Sequence, residues 1–266
     1  MKTLITVIIL SLGITLNAQD NSKSILFKKG AELEYRTYDL KPGALSKKDF
    51  FEITRLIFKV LDVRDSNNIK YSYISKKGIN PNNAKQTYEK KYVITCDGNK
   101  ISIPLDFYTP DTVYFSNVYP TVTKDKGIQF SVNYIGASFY KFPTDFKKNK
   151  FLIEGDAVTV SNTVRDFETA FTQDGTPKTT ARIIEFNRDA NLIIKKCETK
   201  GEENITTERG DYESSKIVIA AELEVSKRRL PTTWTLFYNP EVGLVKFEAE
   251  QSKRMLSYTE LVRVKK

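Results

Sequence analysis

The chain has no histidine. That removes the Ser-His-Asp and Cys-His nucleophilic arrangements, zinc held by imidazole and the commonest general base. Carboxylates remain. Glycoside hydrolysis needs only two of them at a set separation, and Asp106 with Asp111, or Glu202 with Glu203, offer such pairs. Both pairs fall in turn-like text, where acids are ordinary, so a histidine-free hydrolase stands third among the readings. The acidic turn from Asp62 to Asn68 lacks the spaced ligands and the glycine of a calcium loop. It reads as a hairpin turn. There is no nucleophile elbow, phosphate-binding glycine loop or dinucleotide fingerprint. The expectation is a non-enzymatic protein with no catalytic residue, no metal ligand and no cofactor.

Cys96 and Cys197 allow one intramolecular pairing. In an oxidising compartment such a bridge contributes about 4–5 kcal/mol on the chain-entropy model. A buried free thiol at Cys96 is the alternative, and spacing does not decide between them.

Binding chemistry is better represented. Asp106 to Phe151 holds twelve of the thirty-one aromatics, interrupted by Pro110, Pro120 and Pro143. Aromatics dominate core energetics, so many of these are core. The same stretch is the candidate site for an apolar ligand or partner. The ligand-binding candidates are Phe107, Tyr108, Tyr114, Phe115, Tyr119, Phe130, Tyr134, Phe139 and Tyr140, with the lone tryptophan, Trp234, as a possible stacking residue. The formal net charge is +9. Lysines come in scattered pairs such as Lys47-Lys48, Lys76-Lys77, Lys90-Lys91 and Lys147-Lys148, which read as solvated strand ends that block edge pairing. The competing reading is a basic face for acidic glycans, lipid headgroups or phosphates. No nucleic-acid-binding motif is present.

These residues need strands to position them. Thr232 to Val264 reads as three strands and two tight turns, at Asn239-Pro240-Glu241-Val242-Gly243 and Gln251-Ser252-Lys253. Trp234, Leu236 and Tyr238 share one face. Val245, Phe247 and Ala249 alternate with Leu244, Lys246 and Glu248. Leu256, Tyr258, Val262 and Val264 follow at period two, with Glu260 the exception. Upstream, strands are expected over Ala31 to Leu40, Phe51 to Val63, Tyr88 to Thr95, Lys100 to Leu105, Val158 to Thr172, Thr179 to Asn187 and Leu192 to Cys197. Gly78 to Asn83 reads as a loop, Asp189-Ala190-Asn191 and Gly201 as turns, and Asp111 to Asn117 has room for a short helical turn. Asp97-Gly98 is a hairpin signal.

At the amino terminus, Lys2, the apolar run Leu4 to Leu16 and Ala18 read as a secretory signal peptide of residues 1–18, leaving one all-β domain over 19–266. The run is shorter than the ~20 residues that span a bilayer. No cysteine stands at the cleavage point, so export to the periplasm or medium without a lipid anchor is expected.

Trp234, Tyr238-Asn239-Pro240, Val242 to Lys246, Leu256-Ser257-Tyr258 and Leu261 together resemble the end of the TapB-like family of secreted Gram-negative bacterial proteins, a domain of unknown function. Ile205 to Tyr212 with Lys216-Ile217, Cys96 to Ile101, and Lys29 to Tyr35 with Tyr38-Asp39 extend the resemblance over most of the chain. Arg209 departs from the small residue usual before the glycine, and Ser214 stands where a cysteine often sits, so the family's disulfide pattern does not transfer. The resemblance implies a β-rich envelope domain and carries no catalytic residues. The fold expected is a single antiparallel all-β domain, a long curled sheet forming a barrel-like or half-barrel shell of a dozen or so strands. The function expected is binding of an apolar small molecule or lipid, or of an envelope protein. The alternative is an assembly module that meets acidic envelope components through its basic surface.

Overall fold

The computed structural model describes residues 23–40, 49–114, 129–135, 138–154, 158–165, 168–171, 177–180, 188–225, 228–251 and 254–266. The signal-peptide reading of residues 1–18 lies outside them. The described strands are β1 (Glu32–Leu40), β2 (Phe50–Ser66), β3 (Ile69–Asn80), β4 (Asn83–Cys96), β5 (Lys100–Pro104), β6 (Thr112–Tyr114), β7 (Gln129–Ile135), β8 (Phe139–Pro143) and β9 (Leu152–Glu154). The remaining strands are β10 (Val158–Arg165), β11 (Glu168–Phe171), β12 (Pro177–Thr180), β13 (Arg188–Thr207), β14 (Gly210–Val225), β15 (Arg228–Asn239), β16 (Gly243–Gln251) and β17 (Arg254–Lys265). The one helical piece among the described residues is a 3-10 turn, Ile25–Phe27.

The architecture is all-β and antiparallel, as the alternation implied. Fifteen strands form one sheet in the order β6-β7-β10-β13-β14-β15-β16-β17-β1-β2-β3-β4-β5-β8-β9, and β11 pairs with β12 separately. The chain's first and last strands therefore lie side by side in mid-sheet, and the sheet's ends come from mid-chain strands. The sheet curls into a barrel-like shell. Phe142 of β8 stacks on Tyr238 of β15 with ring centroids 4.0 Å apart, although eight steps of pairing separate those strands. The Cys197 thiol on β13 meets the backbone of Ile153 on β9, which is farther still around the sheet. Only a sheet whose ends return toward each other permits both contacts.

The inner face is the core. Leu33, Tyr35, Leu56, Phe58, Ile74, Ile94, Ile219, Leu236, Tyr238, Leu244 and Leu261 are all buried there. The 3-10 turn covers part of it: Ile25 and Leu26 are buried, and Ile25 N–H donates to the Glu241 carbonyl at 2.7 Å.

The closing meander has the three expected strands, but bulges shift its faces. Tyr238 pairs with Leu244 and Phe237 with Lys246, so Val245 is the extra residue. A bulge places two residues opposite one. Leu244 consequently joins Phe247 and Ala249 in the main core, while Val245 packs with Ile205 and Phe237 in a second cluster. A bulge opposite Glu34/Tyr35 on β17 does the same for Leu261. Glu260, the exception in the sequence pattern, then lies on the same face as Tyr258.

Other boundaries differ for similar reasons. Gly201, read as a turn, lies inside β13 at φ +112 and follows a bulge whose extra residue is Lys200, and Asp189-Ala190-Asn191 belongs to that strand. Gly78 lies within β3, and the β3–β4 turn is only Pro81-Asn82. Thr112–Tyr114 is extended and not helical. The single long strand expected over Val158 to Thr172 is divided into β10 and β11. The hairpin turn expected over Asp62 to Asn68 is confined to Asn67-Asn68, both at positive φ, because β2 continues to Ser66.

Candidate functional site

Two places bring chemistry-bearing side chains together. The first is beneath the loop from Leu105 to Asp111. Strand alternation on β3 turns Ser72, Ile74, Lys76, Gly78 and Asn80 inward, so one lysine of the Lys76-Lys77 pair must enter the interior. Lys76 is fully buried. Its ammonium donates to the carbonyls of Asp106 at 3.0 Å and Thr109 at 2.9 Å, and its Nζ lies 2.7 Å from Asp111 Oδ2. On β4 the same splitting occurs. Lys90 turns toward the loop, 2.5 Å from Asp106 Oδ2 and 3.7 Å from Asp111 Oδ1. Tyr92 donates its hydroxyl to Asp106 Oδ2 at 3.0 Å, and both ammonium groups lie about its ring, at 4.8 and 5.0 Å. Tyr88 accepts the Asp111 backbone N–H at 2.9 Å.

Burial pushes the Lys76 ammonium down, and Asp111 opposes it. Burial also acts against the Lys90 charge, but its bond to Asp106 leaves it above the ordinary lysine value. Burial, reinforced by the charges of Asp111 and Asp106, holds the Tyr92 phenol far above its usual value. The chemical result is a neutralised, closed cluster. Asp106 and Asp111 do converge, but each is engaged by lysine and tyrosine. Glu203 of the other candidate pair is bound to Lys216 at 2.9 Å on the surface.

What the cluster holds is the loop's aromatics. Phe107 and Tyr108 are buried, with Phe107 4.5 Å from Phe58 and 5.3 Å from Tyr92. The Leu244 N–H points to the Tyr108 hydroxyl at 3.4 Å. Of the other ligand candidates, Tyr140 is buried beside Phe142 and Phe151. Phe139 is half-buried under Lys141 at 5.7 Å. Trp234 is half-buried, 6.0 Å from Phe247. Tyr114 lies on β6, and Phe130 and Tyr134 lie on the adjacent β7. Phe115 and Tyr119 fall outside the described residues. The structure thus gathers Phe107, Tyr108 and Tyr140 in one core, packs the half-buried Trp234 against that same core, and leaves Phe139 outside it.

The second place is a cleft of about 840 Å³. It opens where the β5–β8 end of the curled sheet approaches β13, β14 and the β15–β16 turn. Asn99, Ile101 and the 144–149 loop form one wall, and Glu202, Glu213, Ser215 and the β15–β16 turn form the other. Phe146 lies on its floor, 6.1 Å from Tyr238. Lys23, Lys147, Lys148, Asp145 and Glu241 charge its rim. The walls are fixed. Thr144 bonds the Gly98 and Asn99 carbonyls at 3.0 Å, Asp145 accepts the Lys147 N–H at 2.9 Å, and Asn239 donates to the Glu213 carbonyl at 2.8 Å. Of these residues, the sequence singled out the turn at Asn239-Pro240-Glu241, the acid Glu202, the Lys147-Lys148 pair, Asn99 and Ile101 within the family resemblance, and Phe146, which it counted within the aromatic stretch.

Cys96 and Cys197 are free thiols, and burial pushes both up. Among the described residues no group of acids and cysteines is arranged to hold a metal, and no helix is long and apolar enough to cross a membrane.

No curated protein sequence matches the chain. Two crystal structures share its fold. One, from Bacteroides fragilis, is described as a "putative exported protein with YmcC-like fold"; it is 15% identical, with a TM-score of 0.58 over 90% of this chain and 97% of that one. The other, from Parabacteroides distasonis, is described as a "putative lipoprotein"; it is 16% identical, with a TM-score of 0.57 over 90% of this chain and 96% of that one. The matching family model spans residues 28–261, from just before β1 to the middle of β17, and the chain belongs to the DUF3108-like family.

Proposed function

We propose that the protein is an exported, non-enzymatic binding module that holds an amphipathic, acyl-bearing ligand in the cleft between the β5–β8 end of its sheet and β13, β14 and the β15–β16 turn. The observation that carries this is the cleft itself. Its size falls within the roughly 300–1,000 Å³ of small-molecule sites. Its floor is apolar at Ile101 and Phe146, and its rim carries charges of both signs, Lys23, Lys147 and Lys148 beside Asp145 and Glu241. An acyl chain meets the floor and a polar head meets the rim. The bonded walls favour a preformed site over one assembled on binding. Export is supported by the amino-terminal pattern and by the descriptions of both fold relatives. The narrower TapB-like resemblance, carried by Trp234, Tyr238-Asn239-Pro240 and Val242 to Lys246, supports the same placement.

The test is native mass spectrometry of the protein purified from its own envelope under mild conditions, with lipid extraction, beside the Phe146→Asp variant. A stoichiometric acyl-containing adduct, lost in Phe146→Asp while the fold persists by circular dichroism, is the expected result. A clean apo mass with no extracted lipid, or an adduct indifferent to Phe146→Asp, overturns this reading.

A further inference from the structure

The outer face of β2, β3 and β4 carries the two large hydrophobic side chains that stand exposed among the described residues, Leu61 at 40% and Val93 at 43%. The register brings them together. Val93 is the direct partner of Tyr73. Tyr73 pairs with Asp62 at a bulge whose extra residue is Leu61. Leu61 and Val93 therefore flank Tyr73 from either side, about 10 Å apart across two strand spacings. In the next row Lys59, Ser75 and Lys91 are partners, and in the row beyond Ile57, Lys77 and Glu89. Residues directly opposed in an antiparallel sheet share a face.

The charges on this face are unevenly engaged. Asp62 is held by Lys29 at 3.0 Å and Arg64 at 2.9 Å. Glu89 accepts the Ser75 hydroxyl at 2.7 Å. Glu32, across from Lys59 on β1, is bound by Arg263 at 2.9 Å. Lys59, Lys77 and Lys91 are exposed, and none of the ion pairs found among the described residues includes them. The acids are engaged and the lysines remain available.

We propose that this face docks on a bilayer bearing anionic phospholipid headgroups. Leu61, Tyr73 and Val93 enter the boundary between headgroups and acyl chains, and Lys59, Lys77 and Lys91 extend their stems along the apolar centre to reach headgroup phosphates. The chain's net charge of +9 acts in the same direction at longer range. This surface is separate from the cleft, and the proposal stands whether or not the cleft is occupied.

The experiment is co-sedimentation of the exported protein with vesicles rich in phosphatidylglycerol, beside pure phosphatidylcholine vesicles. Binding to the anionic vesicles alone, weakened by added salt, is expected. Lys59→Gln and Lys91→Gln should each reduce it about fivefold, the equivalent of about 1 kcal/mol per lysine near an anionic surface. Leu61→Ser with Val93→Ser should abolish it with the circular dichroism spectrum unchanged, since both positions face solvent. Absence of binding to the anionic vesicles, or equal binding by wild type and the variant combining Lys59→Gln, Lys91→Gln, Leu61→Ser and Val93→Ser, overturns the proposal. Capture by a soluble acidic polysaccharide without vesicle binding also overturns it and transfers the face to a glycan.

Discussion

The ring of Tyr88 lies over the backbone of Gly78, its register partner on the neighbouring strand, so closely that a methyl group at position 78 would overlap it. The same tyrosine accepts the Asp111 N–H. The glycine thus gives room to a ring whose hydroxyl anchors the buried loop. Gly78→Ala must displace that ring, and overpacking of this kind costs about 1–3 kcal/mol. In a Tyr88→Ala background the same substitution should be nearly neutral. Urea denaturation of the four proteins of this cycle measures the coupling, and equal costs in both backgrounds would contradict it.

Lys76 is a second anchor of that loop. Removing one partner of a buried ion pair leaves the other charge uncompensated, typically at about 3–5 kcal/mol. Lys90 stays within reach of Asp111, so Lys76→Met should fall at the lower end, about 3 kcal/mol. Adding Asp111→Leu removes the stranded carboxylate and should recover part of the loss. A double variant less stable than Lys76→Met alone would show that Asp111 does more than balance Lys76.

Much of this was legible in the sequence, and the failures share one cause. The all-β class, the Asn67-Asn68 and Asp97-Gly98 turns and the three-strand closing meander followed from alternation and turn chemistry. Lysine pairs were read as solvated ends, yet a strand sends adjacent residues to opposite faces. One member of each pair, Lys76 and Lys90, had to meet the interior side. The signal was present in the phase of Ser72, Ile74, Gly78 and Asn80. Bulges are harder, because one extra residue reverses every later face. At β17 the misplaced Glu260 was the visible sign of such a reversal. The cleft had no signal at all. Its walls come from segments up to 218 positions apart, Lys23 and Glu241 among them, and only the curl of the sheet assembles them.

Asp39 should make stability depend on pH. Burial pushes its carboxyl from 3.8 up to about 6, against the opposing effect of the Leu40 N–H, which lies 2.9 Å away. Between those values the folded state binds more protons than the unfolded state. Stability should therefore fall as pH rises from about 4 to 6, and above 6 the buried carboxylate carries its full cost. Asp39→Asn keeps an acceptor for the Leu40 N–H and removes the charge. It should gain about 3 kcal/mol at neutral pH and flatten this part of the profile. Thermal melts of both proteins across the window test this, and parallel profiles would count against it.

The stack of Phe142 on Tyr238 joins strands that no hydrogen-bond ladder joins directly, so its loss should act on one part of the shell first. Phe142 is fully buried and also touches Phe151 at 5.1 Å. Truncation to alanine removes these contacts and leaves a cavity, at about 3–5 kcal/mol. Tyr238→Phe keeps the stack and deletes only a buried hydroxyl that has no protein hydrogen-bond partner among the described residues, so it should be neutral or slightly stabilising. The local signature is more specific than the global one. β8 and β9 form the end of the sheet, and β5 joins them to the rest through only two paired positions on β4. In Phe142→Ala, amide exchange should accelerate in β5, β8 and β9 before it does in β1 and β17, because the end of the sheet has lost the contact that holds it across the shell. Uniform acceleration through all strands would mean that the stack contributes only to the general core and does not hold the shell closed.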